Sequence, residues 1–288
     1  MNDSDVNIRP FAGQADIQFA ASMTRNEKWY GETETELITY YRRDKSRCLI
    51  AESEGQKVGF CIATAYQSQG LIGMLIVSPA FRKQGIGTSL VREGVKFLKG
   101  KGVQTICLDS VSNAIPFFKP LGFREICRSL RFFGEIEPGT SPEISEIRPQ
   151  DLNSIFEIDK KVFGQDRTYF LQQRLKNHPN LAFKLSLDGD IMAYLFGREG
   201  IGGWVEAGPF VSLIPCDTAM PLLQTLQERI GFCPFSIGVL ETQKEMILQL
   251  VQAGLKPNPD SPVRMKSAGD ITPGSDPCCL AIGAPAKG

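Results

Sequence analysis

Gly73-Met-Leu-Ile-Val-Ser-Pro-Ala-Phe-Arg82-Lys-Gln-Gly85-Ile-Gly87-Thr-Ser-Leu90 decides how the rest of the chain is read. Its first part is an apolar run ending at Ser78-Pro79, a strand closed by a turn. Beyond it, Ile86, Leu90, Val91, Val95, Phe97 and Leu98 recur near helical spacing, so an amphipathic helix opens at the glycine pair. The first N–H groups of a helix have no acceptor inside it, and they carry the positive end of its macrodipole. Gly85 and Gly87 lack side chains that would hold an anion away from those groups, while Arg82 and Lys83 add positive charge beside them. A phosphate or pyrophosphate fits such a place.

The chain has 288 residues, enough for two domains of ordinary size. An apolar share of 42% and a charged share of 22% are those of a soluble globular protein. Thirty-two basic and thirty-two acidic residues cancel, which argues against a dedicated nucleic-acid or membrane binder. Between Pro79 and Lys101, however, six Lys/Arg stand against Glu93 alone. That excess suits a polyanionic cofactor, or simply a solvated helix face. The eight cysteines contain no CxxC pair, and several lie in apolar runs where a free thiol acts as a small hydrophobe. With His178 the single histidine, no metal site is expected. The start, Met-Asn-Asp-Ser-Asp, does not resemble a signal peptide, and no apolar run approaches the ~20 residues that span a bilayer. These features predict a reduced, cytoplasmic protein without membrane or nucleic-acid partners, monomeric or homodimeric.

Working outward, Val6 to Arg9 reads as a strand, and Ala15–Thr24 and Thr33–Tyr41 as helices around a polar turn carrying Trp29, Tyr30 and Gly31. A hairpin turned at Glu54-Gly55 precedes the quoted stretch. A buried strand at Thr105–Leu108, a short helix at Ala114–Lys119 and a last hairpin from Phe123 follow it. The order is β-α-α-β-β-β-α-β-α-β. The second half echoes it. Ile147-Arg-Pro149 repeats Ile8-Arg-Pro10 at an offset of 139, and Asp188-Gly189 repeats Glu54-Gly55 at 134. Val211-Ser212 repeats Val77-Ser78 at 134, and Ala253-Gly-Leu255 follows Leu121-Gly-Phe123 at 132. Four echoes in register argue for an internal duplication. At the 134 offset Arg82 becomes Cys216, Gly85 becomes Ala219 and Gly87 becomes Pro221, so the second copy keeps a helix and loses the anion cradle. The expected division is 1–136 and 144–256, joined by a Pro/Gly/Ser linker at 137–143, with a tail at 257–288. The tail reads as an extended segment whose apolar end, Cys278 to Gly283, docks on the body; disorder is the alternative.

The first half resembles the GCN5-related N-acetyltransferases (GNATs). Their motif Arg/Gln-x-x-Gly-x-Gly/Ala stands here as Arg82-Lys-Gln-Gly85-Ile-Gly87, and their late element as Ala114-Ile-Pro-Phe-Phe118-Lys-Pro-Leu-Gly122-Phe123. The resemblance covers residues 6 to about 134, with 144 to 256 a degenerate copy. It implies an α/β fold (an α+β mixed sheet) in two tandem copies, and acetyl-CoA or another acyl-CoA as cofactor. The pyrophosphate would lie on the main chain of Lys83, Gln84, Gly85, Ile86, Gly87 and Thr88 beside Arg82. The pantetheine arm would pair with the main chain of Leu75, Ile76 and Val77, where a main-chain N–H also polarises the thioester carbonyl. The glycine spacing is not that of a Rossmann dinucleotide site, and the Walker A pattern is absent.

Acyl transfer to an amine needs a deprotonated amine, a held oxyanion and a protonated leaving thiolate. Family members often place a tyrosine where this chain has Phe118, which cannot donate a proton. Three carboxylates are candidate bases: Asp109 at the end of the strand after the cofactor helix, Glu27 in the polar turn, and Glu206 before Ala-Gly-Pro in the second copy. A water relay without a single base, or a structural role for each carboxylate, stands beside them. Trp29 and Tyr30 could line an acceptor pocket or pack a helix. His178 reads as a solvent-facing turn residue, and Asp166-Arg167 as a helix cap with an ion pair or as acceptor contacts. The expectation is an N-acyltransferase acting on a small-molecule amine near the interface of the two domains; the alternative is a catalytically silent CoA-binding sensor.

Overall fold

The same order of elements runs twice along the chain. The computed structural model describes residues 6–269, 272–284 and 286. Its first half comprises β1 (Val6–Pro10), α1 (Gln14–Asn26), α2 (Glu34–Arg43), β2 (Cys48–Ser53), β3 (Gln56–Ala65) and β4 (Gln69–Val77). It continues with α3 (Ile86–Gly100), β5 (Thr105–Ser110), α4 (Ile115–Phe118) and β6 (Arg124–Gly134). The second half repeats this as β7 (Ile144–Glu146), α5 (Leu152–Phe163), α6 (Thr168–Asn177), β8 (Ala182–Leu187), β9 (Asp190–Glu199) and β10 (Val205–Ser212). The elements α7 (Cys216–Ala219), α8 (Pro221–Ile230), β11 (Phe235–Leu240) and α9 (Lys244–Gln252) complete it. Three short strands close the chain: β12 (Lys256–Pro257), β13 (Val263–Lys266) and β14 (Cys279–Ala281).

Strand residues alternate between two buried faces, as a pleat of period two requires. In β2 and β3, Leu49, Ala51, Cys61 and Ala63 point to the side covered by α3. Cys48, Ile50, Phe60 and Ile62 point to the side covered by α1 and α2. This second cluster runs on into Phe163 and Phe170, so the two halves share a core. Tyr66 seals the seam edge-on against both rings, at 5.4 and 6.3 Å between centroids.

The sheets join in the order β1-β2-β3-β4-β5-β13-β6-β11-β10-β9-β8-β7. The expected hairpin after Phe123 is therefore not formed. β6 is a single strand that leaves its own half: Ser129–Gly134 pair with Leu240–Phe235 of the second half. The tail makes the reciprocal move, placing β13 between β5 and β6 with Met265 in the first core. Each half's sheet is thus completed by a strand from the other. Cutting the chain after Lys256 would strip a central strand from the first sheet and open two long edges. The truncated protein is expected to show no cooperative thermal transition by circular dichroism and to aggregate on size exclusion. A sharp transition near that of the full chain would contradict the exchange.

Candidate active site

Between β4 and α3 the chain makes a tight turn that Gly85 permits. Lys83 and Gly85 take left-handed conformations, with φ of 64° and 86°. Such a conformation costs glycine little and a side-chain-bearing residue more. The first helical hydrogen bond is Ser89 N–H to Gly85 O, 3.0 Å, so the N–H groups of Ile86, Gly87 and Thr88 precede the ladder. Arg82 and Lys83 are exposed beside them. The Arg82 Nε donates to the Val77 carbonyl at 2.9 Å, and its guanidinium pairs with Glu27 at the end of α1. A Cβ on Gly87 would stand 3.3 Å from the Phe117 ring, so the glycine also keeps α4 close. Unpaired donors, exposed cations and a surface free of side chains fit a pyrophosphate.

A groove leads from this cradle. β4 and β5 pair in parallel only from Gln69–Leu71 against Thr105–Cys107, and beyond that they splay apart. Past Leu71, no strand among the described residues pairs with β4 on that side. The register against β3 shifts here, and Met74 has a φ of 52°, marking a bulge that turns the main chain. The second copy splays in the same way after Val205–Ala207, but its groove is filled by the tail. β14 pairs with Phe210 and Val211, Ser212 N–H reaches Cys278 O at 2.9 Å, and Ile282 N–H reaches Gly238 O at 2.9 Å. Pro209 stands where the first copy has Leu75, so that strand also lacks an N–H at this place. Among the described residues one groove is open, and its twin is occupied by the chain itself.

The open groove ends at a cavity of about 350 Å³. Trp29, Tyr30 and Met74 of the first half line it together with Trp204 and Glu206 of the second. The tail closes one wall, where Ala286 rests against Gly73 so tightly that a Cβ there would overlap it. A charged hub holds the two halves in place around the cavity. Arg198 of β9, 1% exposed, reaches Glu32 at 3.0 Å and Glu36 at 3.1 Å across the seam, and its Nε donates to Glu206 at 3.0 Å. Arg174 of α6 lies 3.8 Å from Glu36. Burial pushes the Glu206 carboxyl up, but Arg198 outweighs it and leaves the group below the usual carboxylate range. The Oε2 of Glu32, also on the cavity wall, is buried with no hydrogen-bond partner among the described residues.

The three candidate bases fall in three settings. Glu206 reaches the cavity. Glu27 faces the turn between β4 and α3 through its pair with Arg82. Asp109 touches the cavity, but its side chain is 1% exposed and held from three sides. Arg264 of β13 donates to it at 2.7 and 3.2 Å, Arg131 at 3.1 Å and the Ser129 hydroxyl at 2.7 Å. Burial raises its pKa, yet these partners, Arg264 first, bring it down to about 2.

Three further readings change. His178 is not solvent-facing: its side chain is 8% exposed at the seam, Nδ1 accepts the Glu199 N–H at 3.3 Å, and Nε2 lies 3.7 Å from Glu36. Asp166 caps α6 through the Thr168 N–H at 2.9 Å, and buried Arg167 forks onto Asp159. Neither residue reaches the cavity. Phe118 is packed in the core against Phe117 and Phe123. Glu32, Arg198 and Trp204 escaped the sequence reading. The one local signal was an arginine inside the apolar run of β9.

Comparison with known proteins agrees with this duplicated plan. Residues 15–123 match the model of the acetyltransferase (GNAT) family, and residues 155–277 match a second acetyltransferase (GNAT) domain model. A putative acetyltransferase from Pyrococcus horikoshii superposes over 100% of this chain and 98% of its own, with a TM-score of 0.84 at 23% identity. A tandem GNAT protein from the clavulanic acid biosynthesis pathway superposes over 93% and 100%, with a TM-score of 0.64 at 13% identity. In sequence, N-alpha-acetyltransferase 30 of Dictyostelium discoideum is 26% identical over 144 residues, 46% of this chain and 76% of that protein. Glucosamine 6-phosphate N-acetyltransferase of Trypanosoma brucei brucei is 34% identical over 62 residues, 22% and 42% of the two chains. With a family model matched on each half and the two halves folded alike, the chain belongs to the GNAT acetyltransferase family and carries two GNAT domains in tandem.

Proposed function

We propose that the chain is an acyl-CoA-dependent N-acyltransferase that takes acetyl-CoA as donor and a small, positively charged amine as acceptor in the cavity between the halves. The observation that carries this reading is the pairing of an anion cradle with an open strand edge in one copy, where the other copy has lost both. In this reading the N–H groups of Ile86, Gly87 and Thr88, with Arg82, Lys83 and the Gln84-Gly85 turn, hold the CoA pyrophosphate. Leu75, Ile76 and Val77 offer the pantetheine arm their main chain, as to an added strand. Bound acyl-CoA supplies the activated acyl group.

The rest falls to the chain. Main-chain N–H groups at the β4 bulge face the acyl carbonyl as oxyanion donors. The wall of the cavity carries the carboxylates of Glu32, Asp109, Glu206 and Asp260 against the cations of Lys28, Arg131 and Arg198, an excess of negative charge that draws an ammonium. Trp29, Tyr30 and Trp204 receive its carbon skeleton and stabilise the cation through their ring faces. Glu206, paired with Arg198, orients the ammonium, and the proton leaves to water. With Phe118 in the core, the thiolate, whose conjugate acid has a pKa near ~8.5, departs without a side-chain acid. The matched relatives are named as N-acetyltransferases, in keeping with an amine acceptor.

The test is thiol release from acetyl-CoA against a panel of primary amines and matched alcohols. Glu206→Gln is expected to raise KM for the amine about tenfold, the scale of one charge-assisted hydrogen bond, with CoA binding unchanged. CoA binding without thiol release on any amine would leave the sensor reading, which buried Phe118 favours.

A further inference from the structure

The geometry points to a second anion site, far from the cofactor groove, that takes a phosphate group of a small phosphorylated molecule. It lies at the seam, in a pocket of about 670 Å³ where the end of α2, the β3–β4 turn and the last turn of α3 meet the start of α6. Arg42, Arg43, Arg47 and Lys101 converge on it. α3 has fifteen residues, so its length of about 22 Å separates Lys101 from the pyrophosphate cradle at the other end.

Arg47 is the informative residue. It is 3% exposed, yet its Nε and Nη1 have no hydrogen-bond partner among the described residues. A buried guanidinium without a partner is costly, and natural structures rarely keep one. Arg43 repeats the pattern: its Nη1 is buried and unpartnered, while its charge is stacked between Phe170, Tyr66 and Tyr169 at 4.8, 5.4 and 5.8 Å. These rings fix the guanidinium plane without neutralising it. Two acids stand beside these cations without an ion pair to any of the three arginines: Asp44, and Asp166 on the pocket wall. Asp44 accepts the Ser46 N–H at 3.0 Å and lies 3.7 Å from Lys101, and Asp166 caps α6. No ion pair forms to Arg42, Arg43 or Arg47 among the described residues. The negative ends of α2 and α3 account for exposed cations at their termini. They do not account for a buried, unpaired Arg47. Burial first, and then the charge of Arg43, pull its guanidinium down from its usual range, the direction that an anion between the two would reverse. Paired guanidinium forks match the oxygens of a phosphate, where a chloride would use only the charge.

Inorganic phosphate is the probe, titrated against chloride at matched ionic strength, with melting temperature and calorimetry as readouts. Phosphate is expected to raise the wild-type transition by about 2–4 °C. Arg47→Met is expected to melt no lower than wild type in chloride and to lose the phosphate shift, while still binding acetyl-CoA. Arg42→Ala, on the surface and harmless to the core, should weaken phosphate binding several-fold. Gly87→Pro, altered in the cofactor cradle, should keep the shift. The proposal falls if wild type gives no shift beyond chloride. It also falls if the shift survives in both Arg47→Met and Arg42→Ala, or disappears in Gly87→Pro alone, since phosphate would then be reading the cofactor groove.

Discussion

Gly87→Pro is expected to weaken acetyl-CoA binding by about 10- to 100-fold and to leave the far-UV circular dichroism unchanged. The substitution removes one of three N–H groups that have no partner in α3 and sets a ring where a phosphate oxygen would approach. A hydrogen bond to a charged group contributes roughly 1.5–3 kcal/mol, which is the affinity change stated. The helix itself should survive, because the first turn tolerates proline and the second copy opens α8 with Pro221. Gly87→Ala is the control. It keeps the N–H and adds only a Cβ 3.3 Å from the Phe117 ring, so it should lose little affinity if that ring gives way slightly. Titration calorimetry of the three proteins decides the point. Equal affinity for wild type and Gly87→Pro would remove the pyrophosphate from this helix.

What could be read from the sequence was local. The strand, turn and helix around Gly85 carry their own signals: an apolar run, Pro79, two glycines and a stripe of apolar residues at helical spacing. The duplication was legible for the same reason, since short turn motifs recur at a fixed offset. Strand exchange was not. β6 and β13 each look like an ordinary strand, and nothing in Arg124–Gly134 says that its partner lies more than a hundred residues ahead. Val263-Arg-Met-Lys266 did alternate, but it sat in a Pro- and Gly-rich tail whose composition suggested an extended segment. The hub was hidden by distance as well. Glu32 and Arg198 meet across 166 positions, and neither names the other as its partner. His178 was misplaced because Asn-His-Pro-Asn is turn chemistry, whereas the docking of α6 on α2 is what buries it.

Asp109 is where the two levels of reading diverge most, and Asp109→Asn separates them. As a general base, the residue would be needed for turnover and dispensable for the fold. Its surroundings argue the reverse. Its carboxylate answers Arg264, which is fully buried, and Arg131, and through Arg264 it ties the tail strand to β5. Removing the charge leaves a buried guanidinium facing an amide, and breaking such a pair costs roughly 3–5 kcal/mol. The same residue sets an acid dependence. A carboxyl held near 2 in the fold, against about 3.9 in the unfolded chain, stabilises the protein while ionised. That contribution is complete above about pH 4 and is lost as the pH falls toward 2. A shift of this size corresponds to about 2–3 kcal/mol, at 1.36 kcal/mol for each pH unit. Urea denaturation from pH 7 down to pH 3 should therefore show wild type losing part of its advantage over Asp109→Asn as acid is added. Turnover of whatever Asp109→Asn remains folded should be close to normal at low temperature. A variant of unchanged stability whose kcat alone collapses would return Asp109 to the role of base and leave the Arg264 pair without the importance given to it here.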